Sequence, residues 1–91
     1  MIDEATFRQY VEDLHHAAKV LDVRLRGHDV ARAQDSTIDL TRGFVMFEGK
    51  DVGGMQIKYL YEGLEWWDTL MWVGENIRLI RIAHDWDAYA L

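Results

Sequence analysis

Cysteine and proline are both absent from this 91-residue chain, and serine occurs only once, at Ser36. Without cysteine there is no disulfide, no thiolate metal site and no thiol nucleophile. Without proline, glycine alone must punctuate the chain. The single serine lies in the polar stretch Gln34-Asp35-Ser36, where bonding to the local backbone is the ordinary role of such a side chain. Nothing in the spacing of the histidines and aspartates completes a hydrolytic triad around it. Long apolar runs are also missing. The densest, Leu70-Met71-Trp72-Val73, falls far short of the ~20 residues that cross a bilayer. The segment Met1-Ile-Asp-Glu-Ala-Thr has neither the basic region nor the apolar stretch of a secretory signal, so the expected location is cytoplasmic, with no membrane partner. No repeat or linker interrupts the chain, and residues 1–91 are expected to form one domain.

Cations are in the minority. Ten Lys and Arg stand against 16 Asp and Glu, a net charge of -6. A nucleic-acid ligand needs cations to displace condensed counterions, so no nucleic-acid partner is expected. The one basic stretch, Lys19, Arg24, Arg26 and Arg32, is interrupted by Asp22 and Asp29. The acidic residues are scattered and do not form the phosphate-like row of a DNA mimic.

What is present is a clear amphipathic pattern followed by alternation. Residues 3–22 read as a helix, with Phe7, Val11, Leu14, Ala18 and Leu21 on one stripe and Tyr10 and Ala17 beside it. Asp3 suits the N-cap and Glu4 the positive end of the dipole. Residues 23–36 are ambiguous. Val23 and Leu25 alternate with Arg24 and Arg26 as in a short strand, whereas Val30-Ala31-Arg32-Ala33 suits a helical turn. Residues 37–48, with Ile38, Leu40, Phe44, Val45, Met46 and Phe47, read as β, Gly43 marking a bulge. The loop Gly49–Gly54 then reverses the chain. Residues 55–61 alternate, with Met55, Ile57, Tyr59 and Tyr61 on one face.

Residues 64–73 fit two patterns. As a second helix over 64–74, Trp66, Trp67, Leu70, Met71 and Val73 form an apolar arc that Gly74 would end. As a strand, the segment lies between two tight turns at Glu62-Gly63 and Gly74-Glu75. Pairing selects the strand. Those turns set Tyr59 opposite Trp66, Met55 opposite Leu70, Trp72 opposite Ile77 and Asp68 opposite Arg81, so the awkward aspartate acquires a cation. The expected fold is therefore α+β, an N-terminal helix packed on an antiparallel meander of about four strands.

This register gives the sheet two faces. Met55, Ile57, Tyr59, Tyr61, Leu64, Trp66, Leu70, Trp72, Ile77 and Leu79 should meet the helix. The other face mixes polar side chains with Leu60, Trp67, Met71, Val73, Ile80 and Ile82, too apolar for plain solvent-facing sheet. There Trp67 should lie between Lys58 and Ile82, with Glu65 opposite His84. An aromatic ringed by polar groups is typical of a binding anchor. The bland alternative is that residues 23–36 or the tail 86–91 fold over it.

Chemistry is otherwise hard to find. His15 and His16 diverge by about 100° on a helix, and Glu12 with His16 is an ordinary surface pair. In His84-Asp85-Trp86-Asp87 adjacent side chains face opposite ways. No metal or cofactor is expected. The carboxylate pairs Glu65 with Asp68 and Asp85 with Asp87 lack a legible pocket for acid–base work. The expected function is a non-enzymatic protein-binding module acting on a protein partner or as a homodimer, through Trp67, Met71, Lys58, Glu65 and Ile82. Small acidic inhibitor or immunity-type proteins of phage or bacterial conflict systems, which occlude a partner surface, are the analogy of class. The alternative is a small-molecule-binding domain or minor enzyme with a Trp-lined pocket between helix and sheet.

Overall fold

The computed structural model describes residues 1–26 and 39–84. Their elements run α1 (Glu4–Ala17), β1 (Lys19–Arg26), α2 (Leu40–Glu48), β2 (Gly54–Tyr61), β3 (Leu64–Val73) and β4 (Asn76–His84). The four strands form one antiparallel sheet in sequence order, β1-β2-β3-β4, with both helices on one side. The fold is the expected α+β arrangement, and the helical alternative for 64–74 is not adopted. Neither helix is long and apolar enough to cross a membrane.

Helix α1 begins where its cap predicts, with the Asp3 carboxylate accepting from the Thr6 backbone N–H at 2.8 Å. Phe7, Val11 and Leu14 are its buried stripe. It ends at Ala17, five residues before the expected end, because residues 19–26 pair with β2 instead. A bulge between Val20 and Asp22 interrupts the alternation that would otherwise mark residues 19–26 as a strand. The extra residue sets Val20 and Val23 three apart on the inner face, a helix-like spacing produced by an irregular strand. Leu21, expected on the helical stripe, is 43% exposed.

The second correction concerns residues 40–48, expected as strand and found as α2. Asp39 is its N-cap, accepting from Arg42 N–H at 2.7 Å. Leu40, Gly43 and Phe47 are buried at helical spacing, so Gly43 is a packed helical position and not a bulge. Ile38 lies outside the described residues. Phe47 joins the layers. Its ring lies 5.3 Å from Phe7 and stacks on Trp72 at 5.3 Å, while its carbonyl accepts from the Trp72 indole N–H at 2.7 Å.

The β2–β3–β4 register matches the sequence reading at every pair named above. Glu62 and Gly63 both take positive φ, 51° and 82°, as a type I′ turn requires. At the second turn only Gly74 does, at 64°, the type II′ signature. A short bridge completes the sheet, with Ile2 and Ile77 exchanging backbone bonds of 2.8 and 2.9 Å.

Candidate functional site

The face of the sheet turned away from the helices can be read across the strands as rows. Asp22, Lys58, Trp67 and Ile82 form one row; Arg24, Gln56, Thr69 and Ile80 form the next; Arg26, Gly54, Met71 and Arg78 form a third. The expected residues Trp67, Met71, Lys58, Glu65 and Ile82 all lie on this face. Four of them are neighbours. The Lys58 ammonium sits 4.2 Å over the Trp67 ring, and the Trp67 indole N–H donates to Glu65 Oε2 at 2.7 Å. Ile82 is Trp67's cross-strand partner on the other side. Met71 sits four residues further along β3, beside Arg78. His84 adds a contact that the sequence reading did not assign, its ring 4.3 Å from that of Trp67.

Around this half-buried tryptophan the aliphatic residues are open. Ile82 is 52% exposed, and Leu60, Met71, Val73 and Ile80 are exposed as well. Residues 23–26, the start of the 23–36 segment that was the alternative cover for Trp67, lie in the plane of the sheet as part of β1. Residues 27–36 and 86–91 lie outside the described residues. Charge is unevenly divided. Among the described residues, Lys19, Arg24, Arg26, Lys58 and Arg78 project from the strands on this face, against Asp22 and Glu65. A chain of net charge -6 thus presents one face with a positive balance.

The inner face holds a polar cluster of which the sequence showed only one pair. Asp68 is 0% exposed, opposite the core residue Ile57 and one inner-face position from Leu70. Its carboxylate accepts four bonds. Arg81 donates from Nε at 2.9 Å and Nη2 at 3.0 Å, and the Tyr10 and Tyr59 hydroxyls each donate to Oδ2 at 2.8 Å. The Asp68–Arg81 pair follows from register. The tyrosines required α1 to dock at one particular height over β2, which no spacing in the sequence reports. Beside this cluster, between the C-terminal half of α1 and the sheet, lies a cavity of about 410 Å³. Tyr10, Tyr59, Tyr61, Trp66 and Arg81 form its walls, with Asp13 and His16 on the helix side. It has one tryptophan where a Trp-lined pocket was the alternative expectation.

Burial pushes the phenols of Tyr10 and Tyr59 well above their ordinary value of 10.0, and the adjacent Asp68 carboxylate adds to the shift. A phenol whose folded pKa is raised contributes stability that is complete below the unfolded value and lost as pH rises past it. The fold should therefore weaken above about pH 10. Phenolate absorbance should show Tyr10 and Tyr59 ionising only together with loss of tertiary structure. Ionisation of all tyrosines near pH 10 with the fold intact would contradict the geometry.

Metal-ligating side chains do not converge in groups of three among the described residues. Glu12 and His16 form an exposed surface pair at 3.4 Å. Ser36, Asp85 and Asp87 lie outside the described residues. Comparison with protein-family models, with curated proteins and with solved structures finds no match to this chain.

Proposed function

We propose that this chain is a non-enzymatic protein-binding module that docks an acidic partner surface against the outer face of its sheet. The observation that carries the reading is the combination of open aliphatic side chains around Trp67 and Lys58 with four cations on the two edge strands, Lys19, Arg24, Arg26 and Arg78. Interfaces of this kind have an apolar centre, an aromatic anchor and a charged rim that steers encounter. Rim charge also chooses the partner. A second copy docking face to face would set these cations against their counterparts, which disfavours a symmetric dimer through this surface. Nucleic acid would meet the right charge but the wrong contacts. Among the described residues the aromatic ring on this face is Trp67, which is covered by Lys58 and tilted against His84, so it offers a base no open platform. Occlusion of the partner, as by a small inhibitor or immunity-type protein, is the mode of action that needs nothing further from this chain.

Trp67→Ala should leave the fold intact, at a stability cost of about 1 kcal/mol. Partner binding should fall by about 2 kcal/mol, roughly thirtyfold. Melting curves and capture from host lysate on the two immobilised forms make the comparison, with cross-linking from Lys58 to locate the contact. The captured protein should be acidic at the cross-link and should elute with salt. Capture that is equal on both forms, or capture of nucleic acid, would remove the proposal.

A further inference from the structure

We infer that the cavity beneath α1 is a separate binding site for a small aromatic monocarboxylate, with Arg81 as the group that holds the carboxylate. The inference does not depend on the docking face, which lies on the other side of the sheet.

Three elements cooperate to fix one guanidinium. Asp68 on β3 takes the Nε and Nη2 edge of Arg81, and Tyr10 on α1 and Tyr59 on β2 hold Asp68 with their hydroxyls. Stability alone is a poor reason for this arrangement. Replacing a buried ion pair by apolar side chains of similar volume is often neutral or stabilising, and the rest of the inner face is apolar. A guanidinium oriented by a buried carboxylate is what an anion-recognition site requires. The Arg81 side chain is 42% exposed and lines the cavity, so its remaining edge can meet a carboxylate through two parallel bonds.

The walls select the rest of the ligand. The polar ends of three of them are already engaged. The Tyr10 and Tyr59 hydroxyls donate to Asp68, and the Trp66 indole N–H donates to the Tyr61 carbonyl at 3.2 Å. Tyr10, Tyr61 and Trp66, all partly exposed, offer ring surface along this lining, which suits an aromatic body. Arg81 Cζ lies 5.7 Å from the centre of the Trp66 ring, so one small ligand reaches both. A volume of about 410 Å³ is within the range of small-molecule sites. Asp13 lines the helix side and accepts from Gln9 Nε2 at 2.9 Å.

The test is an NMR titration of the full chain with three probes that share one ring system: indole-3-acetate, its neutral alcohol counterpart tryptophol, and the cationic tryptamine. Indole-3-acetate should shift the Trp66 indole, Arg81 Nε–H and Ala17 amide signals saturably. Tryptophol and tryptamine, which lack the carboxylate, should each bind at least about tenfold more weakly. Arg81→Lys keeps the charge but loses the planar fork, and should weaken indole-3-acetate by about tenfold or more. Ala17 lies exposed at the rim of the cavity, away from the Asp68 cluster, and Ala17→Leu adds bulk at the entrance; it should melt like the parent and abolish the shifts, which keeps the test decisive if Arg81→Lys unfolds. Equal binding of tryptophol, retained binding in Ala17→Leu, or no saturable shift by about 10 mM indole-3-acetate would overturn the assignment.

Discussion

Asp68→Ala should destabilise the protein by about 3–5 kcal/mol, the cost of leaving a buried charge network without its acceptor. Three donors lose their partner at once. Arg81 can recover some hydration because its side chain is 42% exposed, but the Tyr59 hydroxyl is buried and Asp68's own site is fully enclosed. A domain of this size has about 5–14 kcal/mol in total, so a large share of its stability is at stake. In thermal melts the loss should appear as a drop on the order of 20 °C. Asp68→Leu combined with Arg81→Met should recover much of it, since an apolar pair leaves neither charge behind. A single Asp68→Ala variant melting within a few degrees of the parent would show that the four bonds contribute little.

Phe47→Ala should cost a comparable amount, about 3–5 kcal/mol, as truncation of a fully buried aromatic generally does. Phe47 is 0% exposed and touches both Phe7 and Trp72, so the cavity would open where the two helices meet the sheet. Val45, two residues earlier, is 60% exposed, and Val45→Ala should change stability by less than about 0.5 kcal/mol. The contrast separates helix from strand. In a strand, residues two apart share a face, whereas in a helix they lie about 200° apart. Similar losses for the two variants in urea unfolding would return residues 40–48 to the strand reading.

Much of the sheet was legible because its constraints are local. Two short turns with glycine at the required positions fix the pairing of β2, β3 and β4, and pairing fixes faces. The position of Trp67 between Lys58 and Ile82, and of Asp68 opposite Arg81, follows from counting along the chain. Where an element depended on what it packs against, local pattern misled. Phe44-Val45-Met46-Phe47 is a continuous apolar run whose periodicity suits helix or strand. Its helical form is selected by the Asp39 cap and by Phe7 and Trp72 as partners for Phe47. Likewise Ala18 and Leu21 continued the helical stripe of α1 by spacing alone, and only pairing with β2 shows residues 19–26 to be extended.

The same division separates the two candidate sites. Sequence by itself determined the outer face, because alternation and turn length place Trp67, Lys58, Glu65, Met71 and Ile82 on one surface without reference to any distant element. Only the tertiary structure decided that Tyr10 would join Asp68, since 58 residues separate them and the bond exists only once α1 docks on the sheet. The cavity walled by Tyr10, Tyr61, Trp66 and Arg81 arises in the same way, as space left between two layers. Pairing between neighbouring strands is set by short loops and side-chain parity, whereas the height and angle at which a helix crosses a sheet are set by the shapes of all the side chains between them.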